Sequence, residues 1–131
     1  MADSAPAAAF ATSIAAWLSV EHAQESVDFY KDAFGAVEAY RLENDNGALA
    51  VAQLSIEGAA FWVQEDRDAS PKTEVSGSVR LILSVDDPDA VFDRAIARGA
   101  VMVKPVSEEY GWRTGRLTDP SGHEWEISRQ L

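Results

Sequence analysis

The chain has 131 residues, 47% of them hydrophobic, and a formal net charge of −11 from 22 acidic and 11 basic side chains. That length suits a single domain with a core of its own, and the acidity argues against nucleic acid or an anionic membrane surface as a partner. The absence of cysteine excludes disulfides, thiolate metal sites and a cysteine nucleophile.

Residues 1 to 66 carry 2 Lys/Arg against 11 Asp/Glu, whereas residues 67 to 131 carry 9 against 11. Any cation placed in a site therefore comes mainly from the second half. The opening "MADSAPAAAFAT" lacks the basic start and long apolar centre of a secretory signal, so residues 1 to 12 are expected to form a flexible N-terminal arm. No apolar run approaches the length of a membrane span, and the cytoplasm is the expected location.

A first βαβββ unit is expected over residues 13 to 64. "SIAAWLSV" reads as a strand. In the next segment Val27, Tyr30, Lys31 and Phe34 recur at helical spacing, and Gly35 supplies a stop. "VEAYRLEN" and "ALAVAQLSI" flank the turn "NDNG", and "AAFWVQ" follows the turn "EGA". Residues 65 to 77, polar and containing Pro and Gly, read as a linker.

The same order returns over residues 78 to 131. "VRLILSV" (79 to 85) is a strand, Asp87 and Pro88 start a helix, Val91, Phe92, Ala95 and Ile96 form its apolar stripe, and Gly99 closes it. "AVMVKPV", "RTGRLT" and "HEWEIS" supply three further strands. Val20 matches Val85 at an offset of 65, while Gly35 matches Gly99 and Gly58 matches Gly122 at 64. The chain is therefore a duplication of one supersecondary unit, giving an α+β fold of two tandem βαβββ modules around a cupped mixed β-sheet with helices on the convex side.

With "ESVDFYKDAFGA" after the first strand and "GRLTDPSGHEWEI" at the end, this duplication resembles the glyoxalase, bleomycin-resistance and extradiol-dioxygenase (vicinal oxygen chelate) superfamily over residues 13 to 130. The resemblance implies a fold more than an activity, because the superfamily contains isomerases, dioxygenases, antibiotic-modifying enzymes and metal-free drug-binding proteins. Metal-dependent relatives take their ligands from the first and last strands of each module. Carried over by the internal offsets, those four positions hold Ala15, Trp62, Arg80 and Glu126. Only Glu126 offers a donor that a divalent ion accepts. The resemblance thus implies a chain without metal or cofactor.

Strand alternation from these positions predicts an inward face that adds Trp17, Ser19, Gln64, Ile82, Ser84 and Glu124, then Val51, Gln53 and Ser55, then Trp112, Thr114 and Arg116. Trp17, Trp62 and Trp112 either wall a pocket for a planar or hydrophobic small molecule, with Arg80, Arg116 and Glu126 as its polar groups, or simply fill the cup. Arg80 and Glu126 are expected to pair inside it. His123 reads as a strand-start residue bonded to the Asp119–Gly122 turn, or less simply as a lone ligand, and His22 as a loop residue. The stretch "SEEYGWR" resembles the family's loop at the mouth of the pocket, which implies that Tyr110 and Trp112 act as a lid.

No catalytic residue stands out, because there is no nucleophile with an evident base and no phosphate-binding glycine loop. The functional expectation is a small-molecule binding protein. The alternative is a lyase or dioxygenase with a degenerate or displaced metal site. A homodimer is also expected, with the arm and its Phe10 laid across the neighbour.

Overall fold

The computed structural model describes residues 12–69 and 79–131. The arm with Phe10 and most of the expected linker lie outside the described residues. Helix α1 (Ala23–Phe34) forms because Ala23, Val27, Phe29, Tyr30, Ala33 and Phe34 bury one face. It ends at Gly35, whose φ of 73° is open to glycine and whose N–H returns to the Lys31 carbonyl. Lys31, placed in the apolar stripe by spacing alone, instead points to solvent and pairs with Glu38 at 3.5 Å. Its ammonium would have had no partner in the core. Helix α2 (Pro88–Ala97) starts as expected. Asp87 accepts from the Ala90 N–H at 3.1 Å, and Val91, Phe92 and Ala95 are buried.

Eight strands divide into two four-stranded mixed sheets. The first contains β1 (Trp17–Val20), β2 (Val37–Glu43), β3 (Leu49–Ile56) and β4 (Ala59–Glu65) in the order β1-β4-β3-β2. The second contains β5 (Leu81–Ser84), β6 (Val101–Glu109), β7 (Trp112–Thr118) and β8 (Glu124–Gln130) in the order β5-β8-β7-β6. In each, the first strand runs parallel to the last and the other pairs are antiparallel. The α+β architecture of two tandem βαβββ modules is thus the one the sequence implies.

The opening strands are shorter than the apolar runs that signal them. β1 begins at Trp17 and β5 at Leu81, so Ala15 and Arg80 stand just ahead of their strands. Each strand pairs on one side only, with the fourth strand of its own sheet, and an edge strand lasts only as long as that ladder.

The duplication extends to register. Trp17 faces Trp62 across β1 and β4, and Ile82 faces Glu126 across β5 and β8, which reproduces the offsets of 65 and 64. Both helices lie on one face of the sheets, where a single core joins the modules. Trp125 of β8 packs against Tyr30 and Phe34 of α1 and Phe61 of β4, with centroids 4.9–5.7 Å away. No helix among the described residues is long and apolar enough to cross a membrane.

Candidate functional site

The helix-free face of the first module is aromatic and neutral. Trp17 and Trp62, partners across a parallel ladder, stack with centroids 5.9 Å apart and planes 26° apart, and Tyr40 meets Trp62 edge-on at 6.0 Å. Trp17 Nε1–H donates to Gln64 Oε1 at 2.9 Å, and the Ser19 hydroxyl donates to the same oxygen at 3.3 Å. Trp17 is 52% exposed, so this pair is a surface and not a core filling.

The same face of the second module is charged. Arg80 Nε lies 3.1 Å from Glu126 Oε1, while Thr114 Oγ1 donates to Glu126 Oε2 at 2.8 Å. The expected ion pair therefore forms, but it is partly exposed. The Arg80 side chain is 42% exposed, which places the pair in a screened environment where it adds little stability. Arg116 is the ladder partner of Glu126, yet its guanidinium turns to Glu124, with Nε at 2.9 Å.

Trp112 stands apart from the other two tryptophans. It opens β7 and borders a crevice of about 710 Å³ with Ile56, Ile82, Ser84 and Arg129, and no aromatic partner lies against it among the described residues. The three indoles are thus divided between two places. Parity along a strand reports which face a side chain takes, not how far apart two sheets carry it.

The expected lid is a hairpin tip. Residues 110 and 111 form a tight turn with φ of 52° and 83°, and Tyr110 is fully exposed. Only two residues separate β6 from β7, too short a connection for a flap.

His123 bonds backbone, but farther away than its turn suggests. Its Nε2 lies 3.1 Å from the Ser19 carbonyl of the first module, while its backbone N–H donates to Asp119 Oδ1. His22 is an exposed residue in the left-handed region before α1. With no side-chain cap there, Glu65 at the end of β4 accepts from the His22 and Ala23 N–H groups at 3.1 and 2.8 Å.

Tyr40 was not foreseen on the open face, because a register shift between Glu38 and Tyr40 breaks the alternation along β2. Asp119 was foreseen only as a turn residue. It is buried, accepting from Tyr30 Oη at 2.5 Å and Trp125 Nε1 at 2.8 Å on Oδ2, and from the Ser121 and His123 N–H groups on Oδ1. Burial, followed by the adjacent carboxylate, holds the Tyr30 phenol well above its ordinary range.

The sequence of the two modules matches a known family over nearly its full length. The model of the glyoxalase-like domain covers residues 15–128. The chain belongs to the glyoxalase-like family, within the vicinal oxygen chelate superfamily. A Mycobacterium tuberculosis relative, the uncharacterized protein Rv0887c, is 33% identical over 122 residues, covering 87% of this chain and 72% of its own. Among solved structures, TioX from Micromonospora sp. ML1 superposes with a TM-score of 0.71 at 26% identity, covering 92% of this chain and 97% of that one. The fosfomycin resistance protein FosX from Listeria monocytogenes also gives 0.71, over 94% and 96%, but at 18% identity it shares the fold alone.

At the positions that the family resemblance assigns to metal ligands, the residues present do not form a donor set suited to a divalent ion. Ala15 has no donor, Trp62 is committed to stacking, and Arg80 brings a permanent positive charge to within 3.1 Å of Glu126, the one carboxylate. Among the described residues, no three His, Cys, Asp or Glu side chains gather in a group that could hold an ion.

Proposed function

We propose that this glyoxalase-like chain binds a small planar, partly apolar compound on the open face of its sheets, without a metal ion. The observation that carries the reading is the substitution at Trp62. Where relatives place a metal-ligating carboxylate, this chain has an indole stacked on the half-exposed Trp17. A stacked, solvent-facing indole pair beside a few polar groups is the composition of a small-molecule site. The Arg80–Glu126 pair occupies the corresponding place in the second module and gives the ligand a polar edge to meet.

Planar aromatic compounds are expected to quench tryptophan fluorescence saturably, and Trp62→Ala to weaken binding by about 1–3 kcal/mol. Chelators should leave that binding unchanged. One equivalent of a divalent ion in the purified protein, lost together with ligand binding on chelation, would overturn the reading.

The reading includes a second copy of the chain. Val37, Leu42 and Ile82, like Trp17, are exposed apolar side chains on the open faces of the two sheets, and a second copy would cover apolar area there. Opposed pairing sets the strongly acidic first half of one subunit beside the nearly balanced second half of the other, which lessens repulsion. Sedimentation is expected to show a homodimer at micromolar concentration, loosened as salt is lowered and the residual repulsion is less screened. A monomer in ordinary buffer would remove the second copy from the account.

A further inference from the structure

The ligand class follows from how Gln64 is held, an argument that rests on the binding reading above. An indole N–H can only donate, so the atom of Gln64 that meets Trp17 Nε1 at 2.9 Å must be the amide oxygen. Ser19 donates to that same oxygen. The amide is thereby fixed in one orientation by chemistry, and its NH2 group faces away from both donors. Neither of its hydrogens has a protein acceptor among the described residues.

The side chains across the ladders from Gln64 are Ser19 and Val51, and Trp17, Trp62 and Gln53 stand two residues along the same ladders. All are neutral. The site therefore offers a stacking surface and a preset pair of hydrogen-bond donors, with no charged side chain among these ladder neighbours. We infer that Gln64 is the specificity-determining residue of the first module, and that it selects flat aromatic compounds bearing a neutral hydrogen-bond acceptor, a ring nitrogen or a carbonyl, at the ring edge. A site built to donate rejects an analogue without the acceptor, because its own donors lose water and gain nothing in exchange. Fixing the amide beforehand also spares the ligand the entropy of ordering it.

Quinoline and naphthalene test this directly, since they differ by one ring nitrogen in place of a CH group. Gln64→Glu keeps an oxygen for Trp17 and Ser19 but has no amide hydrogens to give. With fluorescence quenching as the readout, the ratio of quinoline to naphthalene affinity is expected to fall about three- to tenfold in Gln64→Glu, the worth of one hydrogen bond. In the unsubstituted protein, the side-chain amide protons of Gln64 should move downfield with quinoline, as donation to its ring nitrogen requires, and lack that downfield shift with naphthalene, whose ring current alone perturbs them; this measurement does not depend on the variant folding. An unchanged ratio, or resonances that respond equally to both compounds, would overturn the role of Gln64 while leaving the pocket intact. Failure of both compounds to quench would overturn the binding reading itself, and this inference with it.

Discussion

Replacing Asp119 with alanine is expected to lower the unfolding free energy by about 3–4 kcal/mol, because it removes the acceptor shared by two buried side-chain donors and two partly buried backbone ones. The carboxylate accepts from Tyr30 and Trp125 side chains and from two backbone N–H groups of its own turn. Tyr30 belongs to the first module and the others to the second, so the lost bonds include a tie between halves. Chemical denaturation followed by circular dichroism measures the effect, and a loss below about 1 kcal/mol would show that the turn repacks without the carboxylate.

Tyr30 gives the same cluster a signature at high pH. Its folded pKa is raised, so the unfolded phenol ionises first, near pH 10, while the folded one keeps its proton. Stability from this group is complete below about pH 10 and declines as pH rises beyond it. Tyr30→Phe should be less stable at neutral pH by about 1 kcal/mol, the net worth of one hydrogen bond, yet lose less between pH 9 and 11 than the unsubstituted chain. Parallel alkaline losses in both proteins would contradict the sign.

Gly115→Ala is expected to cost about 1–3 kcal/mol by overpacking. A Cβ at Gly115 would lie 2.8 Å from Val106 Cγ2, 3.0 Å from Phe92 Cε2 and 3.0 Å from the Val106 backbone nitrogen. The backbone contact cannot be relieved by a rotamer change, so β6 or β7 must move. Thr114, which donates to Glu126, is the adjacent residue, and the shift should therefore reach the open face as well. The variant should unfold at a lower denaturant concentration than the parent, and equal midpoints would mean that β6 yields freely.

Much of this architecture was legible in the residues because it depends on local periods. Offsets of 65 and 64 between the halves anticipate the ladder pairs Trp17 with Trp62 and Ile82 with Glu126, since period-two alternation is carried along each strand. The Asp87 cap and the Gly35 stop are likewise written in neighbouring residues. What escaped depends on contacts distant in sequence. Glu65 caps a helix that begins 42 residues earlier, and Asp119 advertises a turn while serving a tyrosine 89 residues away. Trp112 shares parity with the other inward tryptophans yet stands in a different crevice, because nothing local states how the two sheets are set relative to each other.

The placement of Trp125 changes what the repeat means. Two similar halves suggest interchangeable parts, such that either could once have stood alone as half of a symmetric pair. Trp125 now sits within the aromatic cluster of Tyr30, Phe34 and Phe61 from the other half. A fragment ending before β5 would open that cluster to water, and the second half alone would expose the indole. Each half thus lines the other's interior, so the symmetry carried by the backbone is not carried by these side chains. On the opposite face no such bond to the past remains: Trp17 and Trp62 in one half, Ile82 and Glu126 in the other, occupy matching places with unrelated chemistry.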